Sequence, residues 1–147
     1  MDTGLVFNLQ QIGPIIVLSM GCCGSSIGCY IAGMASSAAM ARTEEGHGKF
    51  IAMASVPSTQ SIYGFILMIL MYRNIQAGTL SPIAAIAVGL GVGLALMASA
   101  IFMGKVIAAS IQATLKQPSV YGKCFVAIGI LESFALFAFV FALLIIS

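Results

Sequence analysis

The chain has no tryptophan, one histidine and only ten charged residues in 147. A charged fraction of 7% is far below the roughly 25% of soluble domains, which excludes an ordinary water-soluble fold. Without tryptophan the chain lacks the best side chain for an aromatic cage around an organic cation. No glycine-rich phosphate-binding loop occurs, so the sequence offers no nucleotide site of that kind. The four cysteines (Cys22, Cys23, Cys29 and Cys124) form no Cys-x-x-Cys pair, and they read as small buried packing residues rather than redox or metal groups. Acids are scarcest of all. After Glu45 the only one is Glu132.

What remains is 61% hydrophobic. A membrane-spanning helix needs about 20 apolar residues. Four stretches qualify: Ile12–Ala41, Phe50–Tyr72, Pro82–Met103 and Cys124–Ile146. Helix-compatible sequence after Met103 runs on to Leu115, so the third arm overshoots a bilayer core, and Lys105 is expected to snorkel to the interface. The short connections leave no room for a catalytic domain. The formal net charge of +2 is scattered over loops and helix ends and offers nothing to nucleic acid. Arg42 and Lys49 lie in loop 42–49, and Lys116 and Lys123 in loop 114–123; Asp2 and Arg73 lie on the opposite side. By the positive-inside rule both Lys-bearing loops face the cytoplasm and both termini lie outside the cell membrane.

The chain also reads as two halves, a first hairpin over residues 1–76 and a second over 77–147. Gly48-Lys49 recurs as Gly122-Lys123, and the same offset carries Phe65 onto Phe139 and Ser58 onto Glu132. The expectation is an all-α membrane protein whose four transmembrane helices are a duplicated helical hairpin. The first and third spans carry nine glycines: Gly13, Gly21, Gly24, Gly28, Gly33, Gly89, Gly91, Gly93 and Gly104. The second and fourth carry only Gly64 and Gly129. Small residues let helices approach closely within lipid. Two whole helices of this kind suggest narrow arms crowded round a common axis, as a ring of copies requires.

Glu132 sits inside the apolar run from Phe125 to Ile146. A carboxylate at membrane depth is costly unless it is partnered, and so points to function. The second span supplies candidates. Val56, Thr59, Gln60 and Tyr63 fall at i, i+3, i+4 and i+7, on one helical face. Pro57 has no amide hydrogen, which frees a main-chain carbonyl near Met53 or Val56. Thr59 lies ten residues inside Lys49 and Glu132 nine inside Lys123, so the two share a depth. Fixed oxygens and one carboxylate suit a small cation shedding its water, Na⁺ or H⁺.

Pro57-Ser58-Thr59-Gln60-Ser61-Ile62-Tyr63-Gly64-Phe65, Gly104-Lys105 and Leu131-Glu132-Ser133 resemble the proteolipid (c-ring) subunit K of bacterial V-type or A-type rotary ATPases, over essentially the whole chain. That resemblance implies a rotor ring of about ten copies built on heterologous contacts, with lipid around it. Its partners would be a stator membrane subunit with an arginine and a central stalk subunit. Glu132 would carry H⁺ or Na⁺ during ATP-driven transport, Thr59, Gln60 and the Val56 carbonyl would ligate the ion, and Tyr63 would close the site. The chain would be non-catalytic by itself and need no cofactor. Sodium-type members have glutamine where this chain has Met103. A thioether is a poor ligand for a hard cation, which tilts the expectation to protons. The alternative is a small four-helix proton-coupled secondary transporter, which leaves the glycine asymmetry unexplained.

Overall fold

A computed structural model describes residues 9–146; Asp2 and both chain ends lie outside them. Five α-helices follow in order: α1 (Leu9–Met40), α2 (His47–Ser55), α3 (Thr59–Gln76), α4 (Pro82–Lys116) and α5 (Tyr121–Ile146). A single 3-10 turn, Val56–Ser58, joins α2 to α3, and another, Pro118–Val120, precedes α5. The described residues are entirely helical apart from connections, and four segments are long and apolar enough to cross a membrane. The second span, read from sequence as one helix over Phe50–Tyr72, is His47–Gln76 with a break at Pro57. The third runs unbroken to Lys116, about 52 Å at 1.5 Å per residue, well beyond a hydrocarbon core of about 30 Å.

The turns follow from local chemistry. Gly46 and Gly78 hold φ of 78° and 76°, a left-handed backbone that glycine adopts without steric cost. Ser81 starts α4 as an N-cap whose hydroxyl accepts the Ala84 N–H at 3.2 Å, and Pro82 occupies the first turn, where no amide donor is needed. The α3 end is tied to the α5 end by Asn74, whose amide donates to the Ile146 carbonyl.

α1 packs most extensively against α4, and α3 and α5 flank that pair. The glycine pattern explains how close the central pair comes. A Cβ on Gly24 would collide with the Met97 backbone at 2.5 Å, and one on Gly104 with the Cα of Gly28 at 2.6 Å. Gly21 and Gly64 do the same for α1 against α3, where added carbons would meet the carbonyl oxygens of Gln60 and Val17 at 2.9 Å. Gly33 and Gly91 differ: nothing lies within 4 Å of either. They are therefore not part of the close packing within this chain.

The cysteines also depart from expectation. Cys22 and Cys23 are exposed, Cys29 and Cys124 half-buried, and all four are free thiols. The α1 positions that turn inward include Val17, Gly21, Gly24, Ser25, Gly28 and Ala32, a stripe at helical spacing that leaves Cys22 and Cys23 on the other face.

Two apolar clusters divide the interior. One contains Val17, Leu67, Met71, Leu96, Ala135 and Ala142. The other contains Ala32, Phe50, Met53, Met103, Ile107 and Ile128. Between them along the spans lie the polar residues Ser25, Gln60 and Ser99, all buried, and Glu132.

A candidate ion site around Glu132

Pro57 shapes the site. Its missing N–H and ring crowding disfavour a regular α-turn, and the chain tightens to 3-10 geometry. The Val56 N–H then bonds to the Met53 carbonyl, and the Thr59 N–H to the Val56 carbonyl. The sequence predicts that Pro57 frees one of these carbonyls, but tightening the turn gives each a donor. A buried Ser25 hydroxyl on α1 accepts the Ser61 N–H at 3.0 Å. The break is thus anchored to α1 while α3 resumes with Thr59, Gln60 and Tyr63 turned to α5.

Glu132 is half-buried, and three side chains of α3 reach it. Tyr63 donates its hydroxyl to Oε1 at 2.7 Å. Gln60, wholly buried, donates Nε2 to Oε2 at 3.0 Å. The Thr59 hydroxyl lies 3.0 Å from the same Oε2. The Tyr63 ring rests on Phe139, centroids 5.2 Å apart and tilted by 32°, which fixes the phenol over the carboxyl.

Thr59 Oγ1 has one proton and three oxygen neighbours: Val56 O at 3.0 Å, Gln60 Oε1 at 3.2 Å and Glu132 Oε2 at 3.0 Å. A hydroxyl donates only one hydrogen bond. The remaining close oxygen pairs repel unless a further positive particle is shared among them. The donors to Glu132 are two hydroxyls and an amide, none of them cationic. Charge in such a place costs several kcal/mol when unpaired. The cluster therefore offers oxygens and a negative charge and is short of positive charge.

The structure thus brings together Glu132, Gln60, Thr59 and Tyr63, with Val56 reached through the Thr59 hydroxyl. Met103, at the position of the expected glutamine, is fully buried in an apolar cluster with Phe50, Met53 and Ile107. Lys105 is exposed, with its ammonium 5.4 Å from the Phe102 ring centroid. No cluster of three or more His, Cys, Asp or Glu side chains occurs among the described residues. Ser99 is a participant the sequence did not signal. Its hydroxyl donates to the Leu131 carbonyl at 2.8 Å, pinning α5 to α4 beside Glu132. One serine in an alanine-rich helix carries no pattern that would distinguish it.

A family model for the ATP synthase C subunit matches the chain twice, over residues 12–71 and 86–145. The two matches begin 74 residues apart, the offset that separates Gly48-Lys49 from Gly122-Lys123. The A-type ATP synthase subunit K of Methanocaldococcus jannaschii is 32% identical over 136 residues. That alignment takes in 92% of this chain and 60% of the relative, so the chain spans about three fifths of that protein's length. The V-type sodium ATPase subunit K of Enterococcus hirae is 26% identical over 145 residues, covering 97% of this chain and 92% of the relative.

Proposed function

Because this chain belongs to the ATP synthase C-subunit family, we propose that it is an ion-carrying proteolipid of a rotary ATPase ring. One observation carries the reading. A lone carboxylate in a membrane span is held by three neutral side chains in an oxygen cluster that lacks a positive charge. A proton on Glu132 completes it: the carboxyl then donates to Thr59, and Thr59 donates to the Val56 carbonyl. A sodium ion among the Glu132, Thr59, Gln60 and Val56 oxygens would do so as well.

The proton is the better fit to this chain. A cation as hard as Na⁺ needs a full set of oxygens, and Met103 supplies none. A proton needs only the carboxyl and its hydrogen-bond partners. Each turn of a ring of about ten copies, closed by heterologous contacts, would carry one ion per chain past a stator subunit. An arginine there would displace the ion, and a central stalk would deliver torque from ATP hydrolysis elsewhere. The two hairpins, 1–76 and 77–147, divide the labour. Ser58 stands in the first where Glu132 stands in the second, so four helices carry a single ion.

The topology follows from charge: loops 42–49 and 114–123 cytoplasmic, both termini outside. The α1–α4 pair, with backbones in contact, suits the inner wall of a ring. α5, with Phe134, Phe137 and Phe141 more than half exposed, suits the lipid-facing wall. A secondary transporter for organic cations is disfavoured by the lack of tryptophan and leaves the glycine asymmetry between the spans unexplained.

The deciding experiment is carbodiimide modification of Glu132 in the purified protein, across pH and with or without Na⁺. Proton carriage predicts that protection tracks pH and ignores Na⁺. Sodium protection at neutral pH would reassign the ion, and complete inertness of Glu132 would remove the site.

A further inference from the structure

The duplication extends from sequence into packing. Pro57 and Leu131 are counterparts at the offset of 74 that relates the second and fourth spans. Pro57 lies against Gly28 of α1, where an added Cβ would be 2.8 Å from the proline Cβ. Leu131 receives the Ser99 hydroxyl of α4 on its carbonyl. Gly28 and Ser99 are thus counterparts as well, which sets an offset of 71 between α1 and α4. Ser25 and Ser61, joined by a hydrogen bond, repeat the relation. At the same two offsets they become Leu96 and Ala135, which share one apolar cluster.

On these offsets one groove occurs twice, once open and once filled. The open one, of about 390 Å³, lies on the first hairpin between α1 and α2 and is lined by Cys29, Ser36, Met40, Ile51, Ala54 and Ser58 among others. Their counterparts on the second hairpin are Ala100, Ile107, Ile111, Phe125, Ile128 and Glu132. There the first hairpin covers them. Gly28 sits on the Ala100 backbone. Phe50 and Met53 join Ile107, Ile111 and Ile128 in a buried cluster, with Phe125 packed against it, and Thr59, Gln60 and Tyr63 close on Glu132. Repeats bury their faces on their neighbours, so an end unit keeps one face open for a further unit. The second hairpin is already committed to its own contact, so the matching occupant of the open groove is the second hairpin of another copy.

We propose that the open groove of each copy receives the second hairpin of the next, in the register that the chain uses internally. This rests on the ring reading and names the surfaces that meet in it. The contact is heterologous and so repeats from copy to copy. It gives a place to residues that the single chain leaves idle. Within the chain Met20 faces Gly93; between copies their counterparts are Gly91 of one and Cys22 of the next. Gly91 has nothing within 4 Å, and Cys22 is exposed. Gly24 against Met97 likewise becomes Ala95 against Ser26. At the depth of the ion, Ser58 takes the place of Glu132 and Ser133 that of Thr59. Their hydroxyls return to the Ser55 and Ile130 carbonyls of their own spans. No carboxyl enters, so the contact between copies holds no second ion.

The test is a cross-link that uses a native thiol. A Cβ on Gly93 would lie 3.1 Å from the Met20 Cβ, so the equivalent pair need open by only about half an ångström to reach the roughly 3.5–4.5 Å of a disulfide. Gly91→Cys in the full-length protein, in membranes treated with copper(II)–phenanthroline, should form a disulfide to Cys22 of the next copy, two thiol protons being released and two electrons passing to the oxidant. Non-reducing electrophoresis then shows a ladder from dimer upward, which is lost when Cys22→Ser is added. Ser26→Cys with Ala95→Cys, on the Cys22→Ser background, gives the same ladder and covers a failure of Gly91→Cys to fold. No ladder from either variant, a ladder indifferent to Cys22→Ser, or dimers alone overturns the proposal. A groove filled by lipid gives the first of these results, and a two-fold contact gives the last. Native mass spectrometry of the unoxidised protein separates this failure from that of the ring: many copies without a ladder remove only the register, whereas a monomer removes both.

Discussion

Replacing Gly28 with alanine adds one carbon where three segments converge. That carbon would meet the Ala100 carbonyl oxygen, the Pro57 Cβ at 2.8 Å and the Ala100 carbonyl carbon at 3.0 Å. Two of these are backbone atoms of α4 and the third is a rigid ring in the 3-10 turn, so nothing flexible can yield. Relief requires α1 to move away by roughly an ångström, toward ordinary contact distances of about 3.5–4.0 Å. Overpacking of this kind costs about 1–3 kcal/mol, and two backbone contacts place it at the upper end. Alanine returns about 1 kcal/mol of helix propensity over glycine. The net is a destabilisation of about 2 kcal/mol, a factor of about 30 in the folded-to-unfolded ratio. The control is Gly33→Ala, one turn and a half further along the same helix, with nothing within 4 Å; here propensity acts alone and stability is kept or gained. Because Pro57 lies two residues from Thr59, the Gly28 variant should also disturb the carboxyl site, where a shift of about 1 Å takes 3.0 Å contacts beyond hydrogen-bond range. Thermal unfolding of the purified protein and the carbodiimide rate at Glu132 measure the two effects. If Gly28→Ala is as stable as Gly33→Ala, the account of the α1–α4 contact is wrong.

Glu132→Gln keeps the shape and the hydrogen-bonding partners but removes the charge; the protein should remain folded while ion transport, measured as acidification or Na⁺ uptake by vesicles of the intact complex, disappears. Tyr63→Phe keeps the ring on Phe139 and deletes only the donor to Oε1; the freed carboxyl should react with carbodiimide about tenfold faster, since a hydrogen bond to a charged group contributes about 1.5–3 kcal/mol. An unchanged rate would mean that the phenol does not hold the carboxyl. Met103→Gln should confer sodium protection on Glu132 that the parent lacks, and a variant still indifferent to Na⁺ would separate Met103 from ion choice.

Much of this protein could be read without coordinates because lipid imposes strict rules. An apolar stretch of sufficient length must be a helix, since its backbone finds no other partners there. The four spans, the duplication at an offset of 74 and the singularity of Glu132 are properties of residue type and spacing alone. So is the shared face of Val56, Thr59, Gln60 and Tyr63, which a helical period of 3.6 dictates.

The structure decided what depends on who faces whom. Periodicity places Cys22 and Cys23 on one side of α1, but only packing against α4 makes that side the outward one. Nine glycines announce close approach, yet Gly28 and Gly104 make it and Gly33 and Gly91 do not, since each contact needs a particular crossing point. Pro57 announces a break. How the carbonyls of Met53 and Val56 are satisfied depended on a 3-10 turn, and the Ser61 N–H found its acceptor in Ser25 from another helix. The pairing of Thr59, Gln60 and Tyr63 with one carboxyl across more than 60 positions of chain is a long-range fact. Local sequence sets each helix face, but the angle and depth at which two faces meet are set by the side chains of both, and by the small residues that let them close.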